Sequence, residues 1–227
     1  MGIPRDELEE AMEVNDWMPV TEFRGPGGEE LGYAPEFNRV YPGAGAPGNS
    51  RDMHSLLIDV RGYVYTTGNN DMGQLCQGST DDTDVFTRVA GLPSEAKAAA
   101  VGLDFTLILL EDGSVWGCGS NENGELGLGT EVVSVDAPTR LPFLANVEEV
   151  HAGLTFAVYR DDTGAVFGTG SNLFGQMCVS TEGEPYTSPT VSFDVPGRKF
   201  LVRGRDPFFS CLSHAHSRPS PFHSLFR

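Results

Sequence analysis

Residues 117–129 read GCGSNENGELGLG, five glycines in thirteen positions directly after the apolar run Ser114-Val115-Trp116. A phosphate-binding loop places a lysine and then Ser or Thr after its last glycine, so that an ammonium reaches the phosphates and a hydroxyl reaches magnesium. Here Gly129 is followed by TEVV. A dinucleotide-binding turn would open a helix, which Val132, Val133, Val135, Asp136 and Pro138 disfavour. The segment is better read as a turn that recurs. Counting back 51 residues from Ser114 gives YVYTTGNNDMGQLCQGST from Tyr63, and counting forward 51 gives AVFGTGSNLFGQMCVSTE from Ala165.

The register holds without a gap. Gly62, Gly113 and Gly164 fall in one column, Gly68, Gly119 and Gly170 in a second, and Gly73, Gly124 and Gly175 in a third. Gly102, Gly153 and Gly204 make a fourth column, and Asn70, Asn121 and Asn172 keep step with them. A fixed period of this length marks a stacked or radial array.

Within each unit an apolar run (SLLID, TLILL, AVYRD) is followed by a tight glycine turn and a Val-aromatic alternation (YVY, SVW, AVF). That pattern predicts a β-hairpin, because glycine tolerates the positive φ that such turns require. In the Asn-x-x-Gly segment that follows, both Asn and Gly are read as residues that accept left-handed backbone. Strands succeed strands with no long amphipathic helix between them, which points to an all-β radial repeat.

The middle unit combines Gly-Ser-Asn-x-x-Gly-x-Leu-Gly-x-Gly with a preceding Val-aromatic pair, an Ala-Gly step and an aromatic-Thr strand start. In this it resembles the regulator-of-chromosome-condensation family of seven-bladed β-propellers. The neighbouring units depart from the pattern, with Cys76 and Cys178 where the middle unit has Gly127. Kelch units would carry paired glycines inside each repeat and WD-type units a Trp-Asp ending; neither appears in these units. The resemblance covers residues 51–204 and implies a partial propeller of about three blades, each a four-stranded antiparallel sheet, in an open arc. The repeat frame divides as 51–101, 102–152 and 153–203, with TLILL and its equivalents expected near the axis. An acidic segment, 1–50, precedes it, with an incomplete blade from about 34. Residues 205–227 start a fourth repeat and pass into an irregular tail.

An open arc leaves flanks of several hundred Å² of apolar surface each, on the order of 10 kcal/mol of lost burial per flank. Such a chain is expected to self-associate through those flanks, to recruit a partner, or to be part of a longer product. Residues 1–33 hold one helix candidate, DELEEAMEV, and read otherwise as a solvated acidic arm.

The net charge is −17, divided as −7 over 1–50, −12 over 51–204 and +2 over 205–227. Direct nucleic-acid or anionic-membrane binding relies on clustered Lys and Arg, so neither is expected; a basic protein surface suits the chain better. The N-terminus lacks the basic start and apolar stretch of a signal peptide, so an intracellular, non-secreted protein is expected. Cys76 and Cys178 occupy the same place in non-adjacent units, and Cys118 aligns with Thr67 and Thr169. All are expected to pack as small apolar side chains without disulfide or metal. His54 begins its unit where Phe105 and Phe156 begin theirs and is read as a packing residue. No catalytic residues and no cofactor are assigned.

In the resembling family, the residues between the Ala-Gly step and the next strand lie on one rim, where partners bind. By position these are Asp52, Met53, Leu103, Asp104, Leu154, Thr155, Arg205 and Asp206. The resemblance implies a non-enzymatic protein-interaction module. The alternatives are guanine-nucleotide exchange on a Ran-type small GTPase, the activity of the family's founder, or an inactive fragment of a longer propeller.

Overall fold

The computed structural model describes residues 20–43, 53–142, 145–173 and 176–177, together with the backbone of 186–194. All regular elements among the described residues are strands. They are β1 (Phe23–Arg24), β2 (Phe37–Tyr41), β3 (His54–Asp59), β4 (Val64–Gly68), β5 (Thr83–Arg88), β6 (Ala96–Val101), β7 (Phe105–Leu110), β8 (Val115–Ser120), β9 (Ser134–Arg140), β10 (Val147–Ala152), β11 (Phe156–Asp161), β12 (Ala165–Gly170) and β13 (Tyr186–Asp194). Three sheets result, ordered β1-β5-β4-β3-β2, β6-β7-β8-β9 and β10-β11-β12-β13. The second and third are antiparallel throughout. The first has the same antiparallel core with β1 added in parallel to β5. The fold is thus an all-β, open arc of three propeller blades.

The 51-residue period reappears as identical strand register. His54 lies opposite Gly68, Phe105 opposite Gly119 and Phe156 opposite Gly170. The central hairpins turn on Gly62, Gly113 and Gly164, at φ of 80°, 77° and 91°. Each of these glycines donates its N–H to the last carbonyl of the preceding strand, on Asp59, Leu110 and Asp161. The outer sheets brace this turn with that same strand residue: Asp59 Oδ1 accepts from the N–H of Arg61 and Tyr63, and Asp161 Oδ1 from Thr163 and Ala165. The middle sheet has Leu110 there and uses Asp112 instead, which accepts from the N–H and hydroxyl of Ser114.

The first strand of each sheet, β2, β6 or β10, lies on the narrow side of the arc. Neighbouring sheets approach each other there, β6 against β2 and β3, and β10 against β6 and β7. TLILL and its equivalents, expected near the axis, form the second strand of each sheet, next to the strand on the narrow side. The small side chains of Ala96, Ala98, Ala99 and Ala100 in β6 suit the crowded position better than leucines do. TLILL is instead the strand with both faces covered. Ile108 and Leu110 join Leu56, Ile58, Val64 and Ala99 in the seam to the first sheet. Leu107 and Leu109 join Val147, Val150, Ala157 and Tyr159 in the seam to the third. A period-two strand buried on both sides is apolar along its length, as this one is from Leu107 to Leu110, while the buried Thr106 has hydrogen-bond partners.

The first seam also carries a covalent link that the sequence reading did not foresee. Cys76 and Cys118 form a disulfide, with Cα atoms 5.4 Å apart. This overturns the expectation that the cysteines pack without a disulfide: comparing equivalent positions excludes pairs in one column, whereas these two sit in different columns of adjacent blades, where the seam brings them together. Cys178 lies outside the described residues, as does the helix candidate at 6–14.

His54 is buried at the same seam and its Nε2 lies 2.9 Å from Thr106 Oγ1. The Thr106 hydroxyl donates its one proton to the carbonyl of Gln74 at 2.8 Å, so it must accept from His54, which fixes the imidazole proton on Nε2. Nδ1 is left buried without a partner. Burial pushes the imidazole pKa down to about 4.

The free face of the first sheet is not open, contrary to the expectation of two bare flanks and of a solvated arm throughout 1–33. Residues 20–33 fold back over it. Phe23 packs in a cluster with Leu57, Tyr65, Leu31, Phe37 and Phe86, on the opposite face from Leu56 and Ile58. Its ring centroid lies 5.1 Å from Phe37 and 6.2 Å from both Tyr65 and Phe86. A turn at 25–28, closed by Gly28 N–H to Gly25 O, brings Leu31 back so that its N–H donates to Phe23 O. The Arg61 guanidinium stacks on Tyr33 at 4.8 Å. An aromatic pair of this kind adds about 1 kcal/mol beyond burial.

Two outcomes follow. Phe23→Ala removes the wedge of this cap and lowers the unfolding free energy by about 3 kcal/mol, read from urea denaturation; an unchanged midpoint would remove the cap from the stability of the arc. Secondly, His54 titrates near 6.5 when unfolded and about 4 when folded. The folded chain therefore binds fewer protons between those values, so stability is full above pH 6.5 and falls as pH drops toward 4, by about 3 kcal/mol. His54→Phe, the residue type of Phe105 and Phe156, flattens that slope in pH-dependent unfolding curves. A residual slope of the same sign remains from His151, whose pKa is also lowered by burial.

Candidate partner-binding rim

The ends of the sheets at which β3, β7 and β11 begin and β4, β8 and β12 end form one rim. Its shape is set by the Gly68, Gly119 and Gly170 column, at φ of 112°, 98° and 95°. A Cβ at any of the three would overlap the carbonyl oxygen of Met53, Asp104 or Thr155, respectively. The rim residues lie directly on the glycines. Their carbonyls are pinned there by the next amide, Asn69 N–H to Met53 O at 3.0 Å, Ser120 N–H to Asp104 O at 2.7 Å and Ser171 N–H to Thr155 O at 2.9 Å. Three backbone-identical stations result, each carrying a different side chain.

The structure brings Met53, Leu103, Asp104, Leu154 and Thr155 to this rim. Asp52, Arg205 and Asp206 lie outside the described residues, as does Gly175 of the third glycine column. Met53 is 44% exposed, whereas Leu103, Asp104, Leu154 and Thr155 are half-buried. The second and third stations are joined, since Leu103 N–H donates to Leu154 O at 3.0 Å.

The Asn-x-x-Gly loops complete the rim, and their asparagines act differently from the sequence reading. Among the described residues only Cys76 and Asn146 are non-glycine residues with positive φ, so Asn70, Asn121 and Asn172 are not in left-handed backbone. Their buried amides work as clamps. Asn70 Oδ1 accepts from Leu75 N–H, Asn121 Oδ1 from Leu126 N–H and Asn172 Oδ1 from Met177 N–H. Asn70 Nδ2 donates to the carbonyls of Ser79 and Asp81, and Asn121 Nδ2 to those of Gly129 and Val132. One side chain thereby ties together both ends of a long loop.

The residue after each asparagine, Asp71, Glu122 and Leu173, is exposed in all three loops. Sequence reasoning missed this column. Its signal was the two unconstrained positions between Asn and Gly, which vary freely inside an otherwise repeated segment. In the second loop Glu125 stands where the others have Gln74 and Gln176. It is buried, and its carboxylate accepts from the backbone N–H and the amide of Asn123. Burial pushes its pKa up, and the Asn123 bonds partly offset this. The rim thus carries carboxylates at Asp71, Asp104 and Glu122 beside apolar Met53, Leu103, Leu154 and Leu173. Among the described residues no three His, Cys, Asp or Glu side chains cluster to hold a metal ion.

Two alanine substitutions separate backbone conformation from close approach. Gly129 has φ of 86° with nothing within 4 Å of an added Cβ, so Gly129→Ala costs about 1 kcal/mol. Gly119→Ala meets the same conformational penalty and also displaces Asp104 O, so it costs about 3 kcal/mol. Equal urea midpoints for the two variants would refute the close-approach role.

With this geometry in view, the relatives are informative. Family models of the regulator of chromosome condensation (RCC1) repeat match residues 61–109 and 112–159, and a second model of the same repeat matches 96–125. The chain is 35% identical over 133 residues to the Protein RCC2 homolog of Xenopus laevis, covering 58% of this chain and 26% of that one. It is 35% identical over 122 residues to the secretion-regulating guanine nucleotide exchange factor of Bos taurus, 53% of this chain and 26% of that one. The chain thus aligns with about a quarter of the length of these relatives. Among solved structures, Prp20p of Saccharomyces cerevisiae superimposes with a TM-score of 0.57 at 21% identity, covering 62% of this chain and 36% of that one, a likeness of fold. The repeated register, the glycine and asparagine columns and these matches together make the chain a member of the RCC1-repeat family.

Proposed function

We propose that this chain is a non-enzymatic protein-interaction module that engages its partner through the rim of Met53, Leu103, Asp104, Leu154 and Thr155 and the adjoining Asp71, Glu122 and Leu173. The observation that carries the reading is the three backbone-identical stations: packing on the glycine column and hydrogen bonding to the amide after each glycine use their main chain, while their side chains differ. A surface with carboxylates around apolar residues suits a partner with basic groups flanking an apolar contact. The chain's net charge of −17 favours a basic partner surface. The Asp52, Arg205 and Asp206 positions would extend the same rim. The relatives support an intracellular setting, nuclear or cytoplasmic.

A small GTPase is one partner of suitable kind. The Prp20p structure reports binding to Gsp1p and histones, and a second relative is named a guanine nucleotide exchange factor. Exchange is the second reading, favoured by the name of that relative, and contact without exchange is the expected behaviour here. Full chain added substoichiometrically to a Ran-type GTPase loaded with labelled GDP leaves the release rate unchanged. Catalytic acceleration would replace the first reading by the second.

The rim itself is tested by comparing proteins retained by the wild-type chain, by an Asp71→Lys/Glu122→Lys variant, and by Glu111→Lys at the opposite ends of the sheets. The rim variant loses at least tenfold of a specific partner that Glu111→Lys keeps, with thermal unfolding unchanged in both. Equal retention by all three would exclude the rim.

A further inference from the structure

The Cys76–Cys118 pair has a property that packing does not explain. Cys76 has φ of 58°, the left-handed region that a residue with a Cβ rarely adopts, and it sits in the column where Gly127 has φ of 65°. Cys118 sits in the column of Thr67 and Thr169. Both departures from the repeat meet at one seam. At the next seam the corresponding pair is Gly127 and Thr169, and it is complete without a cross-link: Thr169 Oγ1 donates to Glu125 O at 2.6 Å. At the first seam Cys118 Sγ lies 3.3 Å from Gln74 O, the equivalent acceptor. A sulfur in a disulfide has no hydrogen to donate, whereas the reduced thiol would donate to that carbonyl as the threonine does. The seam therefore has a built resting place for each redox state.

We propose that Cys76 and Cys118 are a redox-responsive staple between the first two blades, opened and closed by thiol–disulfide exchange with a small-molecule couple of the glutathione class. In closing, one cysteine thiolate attacks the glutathione disulfide, releasing one glutathione thiolate and leaving a mixed disulfide on the chain. The second cysteine thiolate then attacks the protein sulfur of that mixed disulfide and releases the second glutathione. Two chain thiols and one glutathione disulfide become one chain disulfide and two glutathione thiols, and reduction runs the same steps backward. Both sulfurs are buried, so exchange proceeds through opening of the loop that carries Cys76. Closure ties that loop to β8 across 42 residues of chain, a separation at which a cross-link restrains the unfolded ensemble substantially. The proposal is independent of the rim reading.

The test equilibrates the full chain in glutathione buffers from fully reduced to fully oxidised, quenches with acid, alkylates, and maps peptides by mass. The Cys76–Cys118 cross-linked peptide appears in oxidised buffer and disappears in excess reduced glutathione without denaturant. The oxidised chain melts on the order of 10 °C above the reduced chain. A Cys76→Gly/Cys118→Thr variant, carrying the residues of the neighbouring seam, melts where the reduced wild type does and ignores the buffer. Absence of the cross-linked peptide at every ratio overturns the proposal. So does a cross-link that only denaturant and strong reductant together can remove, or a redox-dependent melting shift that persists in the double variant.

Discussion

The buried asparagine amide is the interaction on which the rest of this structure depends. Asn70 and Asn121 each make three hydrogen bonds to backbone groups within a loop of about ten residues, and without them those groups would be buried and unpaired at a cost of about 1–3 kcal/mol each. The clamp does more than satisfy the loop. It holds the Gln74 and Glu125 carbonyls facing the next sheet, where Thr106 and Thr169 donate to them. It also keeps Gly73 against the outer strand of the following blade, where an added Cβ would come within 2.6 Å of Asp136 Cα. Blade-to-blade packing is thereby a consequence of an interaction internal to each loop.

That dependence explains why the three sheets are alike in frame and unlike in side chains. The middle sheet has neighbours on both faces and its strand β7 is apolar from Leu107 to Leu110. In the third sheet Arg160 stands in the column of Ile58 and Leu109. Its guanidinium donates to Glu148 and Glu149 at 2.9 and 2.8 Å, so the charge is paired locally on its own sheet. The first sheet solves the problem of its outer face by another route, spending aromatic side chains of the preceding segment where a further blade would otherwise pack.

The parts of this architecture legible in the sequence are those that repeat at 51 residues. The hairpins, the glycine columns and the backbone stations of the rim all follow from register. What escaped lies outside columns. The cysteine link joins unlike positions of adjacent units, so aligning units cannot display it. Phe23 caps the first sheet from a segment with no periodicity, and its partners Phe37, Tyr65 and Phe86 come from three different strands. The asparagines were visible as a column, but conformational preference named the wrong reason for it; their buried amides, not left-handed backbone, account for the recurrence.

The separation between clamped and free positions also gives the rim a direction. At the exposed place after each asparagine the chain runs Asp71, Glu122, Leu173, and at the station over each glycine it runs Met53, Asp104, Thr155. Carboxylates thus concentrate on the first two blades, while the third presents Leu154 and Leu173 without one. The buried Glu125 belongs to the same gradient: its siblings Gln74 and Gln176 are neutral, and its raised pKa reflects a carboxylate kept in a place where the fold accepts an amide. Since the backbone at all three stations is held by the same bonds, the repeated frame does not set these differences. A surface whose frame is repeated and whose charge is not can be read by a partner in only one orientation.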